Sequence, residues 1–204
     1  NPEFLLLLDQ DETGIFNISN ELENNFSDLK IKRLVADITD KAKINKIFEE
    51  FKPEIILHAA AYKHVPLMEE NIDEAVKNNV FGTKNLAEAA VNFGTEKFIF
   101  ISTDKAVNPT SVMGATKRVG EKVCQMHNRE KNKTKFISVR FGNVLNSRGS
   151  VIPTFREQIK KGGPVEVTHP EMKRYFMLTS EACLLVLQSG AMGQGGEVFV
   201  LDMG

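Results

Sequence analysis

Short apolar runs recur along this chain, and each closes on polar or small residues. Phe4-Leu5-Leu6-Leu7-Leu8 closes on Asp9, Leu34-Val35-Ala36 on Asp37-Ile38, and Ile55-Ile56-Leu57-His58 runs into Ala59-Ala60-Ala61. Phe98-Ile99-Phe100-Ile101 changes abruptly to Ser102-Thr103-Asp104-Lys105, and Phe136-Ile137-Ser138-Val139 leads to Arg140-Phe141-Gly142-Asn143-Val144. A last run covers residues 197–202. Runs of this length and composition predict buried strands. Helix-spaced patterns separate them. Ile15, Leu22 and Phe26 mark one face. Ile44, Ile47, Phe48 and Phe51 mark a second, capped by Thr39 or Asp40 and stopped by Pro53. Asn71-x-x-Glu74 has the form of a capping box before Ala75, Val76, Val80, Leu86, Ala87 and Ala90, and Gly94 ends that helix. Met113 and Lys117 share a face of the next helix. Val151, Phe155 and Ile159 define another, closed by Gly162-Gly163-Pro164, and Thr179-Ser180-Glu181 opens a last one through Leu184, Leu185 and Leu187. Residues 62–70 read as a loop, 165–167 as a short strand, and 169–176 as a loop dense in cations and aromatics.

Strands alternating with helices at this spacing predict an α/β fold with a parallel sheet. Beyond about Asn146 the elements become shorter and more polar, as in a partial substrate-binding lobe. The carboxyl edge of such a sheet is where ligands bind. Strand, polar tip, Asn108-Pro109 turn and helix therefore deliver Thr103, Asp104, Lys105 and Lys117 to one rim.

Composition narrows the classes of partner. Lys plus Arg number 26 against 27 Asp plus Glu in 204 residues, a balance that points to neither nucleic acid nor an anionic membrane. No apolar run approaches the roughly 18 residues of a membrane span, and the start lacks the basic segment and cleavage site of a signal peptide. Cys124 and Cys183 sit in helix-like apolar patterns, which fits buried thiols in a reducing cytoplasm. The four histidines and two cysteines have no zinc spacing, and no nucleophile elbow, P-loop or Gly-x-Gly-x-x-Gly fingerprint is present.

Local chemistry alone leaves alternatives open. Asp9, with Asp11 and Glu12 close behind, is either a ribose acceptor at a strand end or part of an acidic helix start favoured by the macrodipole. Asp104-Lys105 is either a working acid and base or a solvated ion pair. Lys117 is equally an ordinary surface lysine, and Met113 a core residue.

Several stretches carry a more specific signal: residues 7–12, 58–66, 77–83, 102–117, 140–153 and 169–179. In this order they resemble the extended short-chain dehydrogenase/reductase family, and within it the CapD-like nucleotide-sugar 4,6-dehydratases of capsule and O-antigen biosynthesis. The resemblance implies a Rossmann-like doubly wound parallel sheet, with residues 1–145 an incomplete NAD(P)-binding core. Residues 146–204 would be a partial substrate-binding region plus a returning sheet strand. It implies NAD or NADP, with NAD favoured because the Asp9 carboxylate repels a 2′-phosphate. Asp9 would hold the adenosine ribose, Asp37 and Ile38 the adenine, and Ala59, Ala60, Ala61 and Lys63 would line the cofactor. Lys117 would hold the nicotinamide ribose. Lys63, Asn79, Asn143, Val144, Arg148, Ser150, Val151 and Arg174 would serve a UDP-sugar and its diphosphate.

The implied reaction oxidises C4 of the sugar, removes the C5 proton with Lys105, and expels the C6 hydroxyl with a proton from Asp104. Both groups would depart from their solution protonation states, a buried lysine neutral and a buried acid protonated. The family's usual Tyr-x-x-x-Lys has Met113 in the tyrosine place, as the large capsule-type members do, so Thr103, Lys117 or a bound water would relay the C4 proton. A UDP-sugar epimerase and a non-catalytic nucleotide-sugar-binding module are the alternatives, and a cytoplasmic homo-oligomer is expected. The chain also resembles a piece of a longer protein, one with possible inner-membrane anchors elsewhere, that begins at the family's second strand. On that basis strand 4–8 is expected either to shift over beside the strand at Leu57 or to leave the gap to another chain, and dinucleotide affinity is expected to be weak.

Overall fold

The computed structural model describes residues 2–129, 132–145, 147, 150–167, 169–171 and 173–201. Strand β1 (Phe4–Asp9), helix α1 (Glu12–Asn25), β2 (Lys30–Val35) and α2 (Lys41–Phe51) come first. Asp11 caps α1 by accepting from the Gly14 N–H at 3.1 Å, and Asp40 caps α2 by accepting from the Lys43 N–H at 3.0 Å. Both carboxylates thus satisfy amides that have no partner within their helices. β1 and β2 pair in parallel, from Phe4 with Lys30 to Asp9 with Val35.

Next come β3 (Ile55–His58), α3 (Val65–Glu70), α4 (Ile72–Val76), a π-helical turn (Lys77–Gly82) and α5 (Thr83–Phe93). Gly94 ends α5 at a φ of 77°, a left-handed conformation that glycine adopts without a Cβ clash. Then follow β4 (Lys97–Ile101), a 3₁₀ turn (Asp104–Ala106), α6 (Val112–Arg129) and β5 (Lys135–Arg140). The remainder is β6 (Asn143–Val144), α7 (Val151–Lys160), β7 (Phe176–Met177), α8 (Thr179–Met192) and β8 (Val198–Val200). The main sheet has the order β3-β4-β5-β8, all parallel, and β6 pairs with β7 in a separate parallel ladder.

Strand β4 alternates between two cores, as a parallel strand covered on both faces must. Phe98 and Phe100 join Phe136, Ile44, Ile47, Phe48, Leu86, Ala87 and Ala90 on one side. Ile99 joins Val139 and Val186 of α8 on the other. This is the expected α/β, Rossmann-like arrangement. Each fully buried phenylalanine contributes about 2–3 kcal/mol, a large share of a domain's net stability. Among the described residues no helix is long and apolar enough to cross a membrane.

Five expectations are corrected. Of the two thiols expected to be buried, Cys124 is, but Cys183 is exposed. Residues 62–70 are not all loop: α3 forms there, with Pro66 in the first turn, where a missing N–H costs nothing, and Met68 buried. Asn71 makes no capping box; its side-chain amide instead donates to the Leu67 carbonyl at 2.8 Å. Residues 165–167 form no strand: among the described residues no strand pairs with them, and Val167 is exposed. Strand β1 does not shift onto β3, which removes one of the two ways in which the gap was expected to be filled. It pairs with β2 along its whole length, and Phe4 stacks on Phe51 of α2 with ring centroids 6.1 Å apart, so a shift would sacrifice both contacts. Consequently β3 is an edge strand whose Ile55 and Leu57 are exposed.

Candidate active site

The pairing of β4 with β5 continues past the end of β4. The Ser102 N–H donates to the Val139 carbonyl at 2.7 Å and the Asp104 N–H to the Phe141 carbonyl at 3.2 Å. This extension fixes the 3₁₀ turn on the carboxyl rim. Asp104 Oδ1 there accepts from the Thr103 hydroxyl at 2.8 Å, the Lys105 N–H at 2.9 Å and Lys105 Nζ at 2.9 Å. Lys105 Nζ also donates to Asn143 Oδ1 at 3.2 Å. Asn143 is held in turn by its N–H on the Tyr175 carbonyl at 3.0 Å, a rung of the β6–β7 ladder. Gly142 permits this approach, since a Cβ there would lie 2.9 Å from the Tyr175 carbonyl oxygen.

The Asp104–Lys105 pair departs from the expected protonation. The two side chains, 39% and 30% exposed, form an ion pair in contact with solvent. Burial pushes the Asp104 carboxyl upward, but hydrogen bonds from Lys105 and Thr103 outweigh it and hold the group below the usual carboxylate range. The resting pair is a salt bridge, not a neutral amine beside a neutral acid.

A second group lies deeper. The π-helical turn directs Asn79 inward, where it is 1% exposed. Its Oδ1 accepts from the Tyr62 N–H at 2.8 Å, and its Nδ2 donates to the Tyr62 carbonyl and to Thr116 Oγ1, each at 3.0 Å. Asn79 therefore ties the segment after Ala61 to α6. Lys117 is 5% exposed, with Nζ 4.2 Å from the Phe100 ring centroid. Burial lowers its pKa to about 8, against the opposing pull of Cys124 and Glu121. Among the described residues no hydrogen bond joins Lys117 to Asp104 or Lys105. His58 is kept neutral, with a pKa of about 3, by burial and by the Lys117 charge. The Thr83 hydroxyl donates to the Asn79 carbonyl at 2.7 Å, so its oxygen accepts from His58 Nε2–H at 2.8 Å. Met113 packs with Met68 and Ala75 in a small core.

Two of the remaining expected residues are acids at the carboxyl ends of β1 and β2. Asp9 Oδ1, at the end of β1, accepts from the Asp11 N–H at 2.9 Å, and Asp37 Oδ1, after β2, accepts from the Thr39 N–H at 2.7 Å. Ala59, Ala60 and Lys63 are exposed and Ala61 is half-buried just beyond β3. Ile38 is in the core instead, with its Cδ1 2.5 Å from where a Cβ on Gly82 would be. Val144, Ser150 and Val151 are half-buried, Arg174 is exposed, and Arg148 lies outside the described residues. Ala59 and Ala60, exposed just beyond β3, leave backbone within reach of a flat, hydroxyl-bearing ligand at that strand's carboxyl end. Sequence reasoning missed Glu121, fully buried one turn beyond Lys117. Its signal was a carboxylate on the sheet-facing side of α6, in register with Met113, Lys117 and Cys124.

Reactive groups on the carboxyl rim of a parallel sheet with helices on both faces place the chain among the Rossmann-like α/β proteins. More particularly, it belongs to the polysaccharide biosynthesis protein family, whose pattern matches residues 1–204. It is 56% identical over 205 residues to the capsular polysaccharide biosynthesis protein CapD of Staphylococcus aureus, covering 100% of this chain and 34% of that protein. It is 33% identical over 202 residues to a UDP-N-acetylglucosamine 4,6-dehydratase (inverting) of Campylobacter jejuni, covering 98% of this chain and 59% of the relative. The chain thus spans from a third to about three-fifths of these curated relatives. Among solved structures, Pen from Bacillus thuringiensis superposes with a TM-score of 0.92 at 35% identity, over 100% of this chain and 64% of that one. DesIV, a dTDP-glucose 4,6-dehydratase from Streptomyces venezuelae solved with NAD and DAU bound, shares the fold with a TM-score of 0.87 at 20% identity, over 100% of this chain and 68% of that one.

Proposed function

We propose that this chain is the catalytic core of a nucleotide-sugar 4,6-dehydratase that acts on a UDP-N-acetylhexosamine in polysaccharide biosynthesis. The observation that carries the reading is the Asp104–Lys105 pair, joined at 2.9 Å on the open rim and linked through Lys105 to Asn143. A hydro-lyase acting here needs a base at the ring carbon C5 and an acid at the neighbouring exocyclic C6, whereas an epimerase at C2 or C4 needs neither there. Residues 1–145 form the cofactor-binding part and 146–204 contribute to the sugar site. NAD or NADP fits the rim: Asp9 would hold the adenosine ribose, Asp37 the adenine end, and Ala59, Ala60, Ala61 and Lys63 the backbone-lined floor. The cofactor, when bound, supplies reversible hydride transfer with the sugar.

The pair's geometry supports an elimination step. One proton passing from Lys105 Nζ to Asp104 Oδ1 along their hydrogen bond makes an amine and a carboxylic acid together. Water exclusion by the sugar favours this neutral form, because charge separation is costlier in a drier site. The amine takes the C5 proton, the acid gives its proton to the departing C6 hydroxyl, and water leaves. Lys105 is then ammonium and Asp104 carboxylate, so this step returns the pair to the state in which it began. Met113 carries no acid–base group. The C4 hydroxyl proton leaves through Thr103, a bound water, or Lys117, whose pKa of about 8 keeps a fraction of it neutral near pH 7. Asn143, Val144, Ser150, Val151, Arg148 and Arg174 hold the sugar and diphosphate, and Asn79 steadies the floor of the site.

The test incubates the whole protein with UDP-N-acetylglucosamine and NAD and follows products by mass spectrometry and NMR. Loss of one water with a 4-keto product is the expected result. A C2 or C4 epimer, or tight binding without turnover, would overturn the dehydratase reading.

A further inference from the structure

Glu121 is 0% exposed, yet both of its carboxylate oxygens are fully engaged. Oε1 accepts from the Ser102 hydroxyl at 2.6 Å and Arg140 Nε at 2.7 Å. Oε2 accepts from Arg140 Nη2 at 2.6 Å and Arg118 Nη1 at 2.8 Å. These partners are not scattered. Ser102 immediately precedes Thr103-Asp104-Lys105 at the tip of β4. Arg140 is the last residue of β5, three positions before Asn143. Glu121 itself is one turn along α6 from Lys117. A single side chain is therefore bonded to both strand tips from within the helix that carries the buried lysine.

We propose that Glu121 is a positioning residue for the reaction: it sets the spacing among the Asp104–Lys105 pair, Asn143 and Lys117. This rests on the proposed dehydratase reading of the rim. An ion pair kept for stability alone is replaceable by packed apolar residues of similar volume, often without loss. The Glu121 cluster differs because its hydrogen bonds are directional and end on the two strand tips. Bidentate arginine–carboxylate geometry tolerates little sliding, so the tips of β4 and β5 cannot move independently. The carboxylate also acts on Lys117. The groups facing that ammonium are Glu121 and Cys124 from α6, His58 from β3 and the Phe100 ring from β4. Of these, Glu121 is the ionised acid, and its charge favours the protonated lysine.

The test uses Glu121→Gln and the apolar double variant Glu121→Met/Arg140→Met in the whole protein, with kcat, KM and thermal midpoint measured together. In Glu121→Gln, kcat is expected to fall about 10²-fold, the cost of a displacement near 1 Å at reacting groups, while KM changes less than about threefold. The double variant is expected to regain the thermal midpoint and remain slow. Recovery of turnover along with stability, or an unchanged kcat in Glu121→Gln, would overturn the proposal. NMR of Lys117 Nζ in this 204-residue chain gives a readout independent of turnover. In Glu121→Gln its titration midpoint should shift to lower pH and the Asn143 amide resonance should move. Both unchanged would also overturn the positioning role. Absence of turnover in the unmodified protein would remove the dehydratase reading alone, and the NMR result would then decide the role of Glu121.

Discussion

Gly114 sits where α6 comes against the turn that bears the acid and base. A Cβ built there would lie 2.4 Å from the Lys105 carbonyl oxygen and 3.2 Å from both its carbonyl carbon and Ser111 Oγ. Ordinary contact begins near 3.4 Å, so Gly114→Ala must drive the helix and the turn apart by about 1 Å, the difference between 3.4 and 2.4. The obstacle is backbone and cannot rotate away. Overpacking of this kind costs about 1–3 kcal/mol, and alanine's helix preference returns up to about 1 kcal/mol, less so in the first turn. The net loss of stability is therefore about 1–2 kcal/mol. The effect on catalysis is larger, because a misplacement near 1 Å costs about 10²-fold. Denaturant unfolding of the chain measures the first quantity and turnover of the whole protein the second. If Gly114→Ala keeps full turnover, the close approach of α6 does not set the position of Asp104 and Lys105. If turnover falls only in proportion to the folded fraction, the same conclusion holds.

Other consequences are as direct. Lys105→Met should abolish exchange of the sugar C5 proton with deuterated water, whereas Asp104→Asn should retain exchange and block loss of water, both read by mass spectrometry. Asn79→Ala strands the Tyr62 amide and carbonyl and should cost about 2–4 kcal/mol in a denaturant melt, since each buried polar group left unpaired costs about 1–3 kcal/mol. Lys117 makes stability depend on pH. The unfolded lysine keeps its proton up to 10.5 and the folded one loses it near 8, so stability rises with pH between these values. Cys124 opposes this above 9.0, where the unfolded thiol ionises while burial pushes the folded one up to about 12. Between pH 8 and 9 the chain should gain about 1 kcal/mol, and Lys117→Met should erase the gain in paired melts.

The central strands were legible because β4 and β5 are buried on both faces, which demands unbroken apolar runs at 98–101 and 136–139. Asp40 and Gly94 were legible because cap chemistry is local. Strand β2 was only half visible: Lys30, Lys32 and Arg33 interrupt its apolar residues because much of its side-chain surface meets solvent. Helix α3 was hidden by Pro66, which breaks a helix interior but suits a first turn. The β6–β7 ladder could not be read at all, since its two-residue strands come from segments over thirty positions apart and local pattern carries no trace of their pairing. Within the site, Thr103, Asp104, Lys105 and Asn143 stand together; the first three are neighbours in the chain, whereas Asn143 was pointed to only by the family resemblance. Their resting charge did not follow, because protonation depends on exposure and on the hydrogen bonds at Asp104 Oδ1, which sequence spacing does not encode. Glu121 escaped notice for a related reason: a carboxylate among charged neighbours on a helix reads as surface until Ser102 and Arg140 are placed beneath it.

The split between the β1–β2 ladder and the β3-β4-β5-β8 sheet has a dynamic consequence. No backbone hydrogen bond of the described residues joins β1 to β3, and the first ladder is joined to the rest through α2 on α5 and through the apolar side chains Ala36, Ile38, Ile44, Ile47 and Phe48. Side-chain packing of that sort yields more easily than a continuous ladder, so the first fifty residues can open as a cooperative unit while the rest stays folded. Amide protons in β1 and β2 should therefore exchange with solvent deuterium well before those of β4 and β5, and the early unit is where proteases would find their first access.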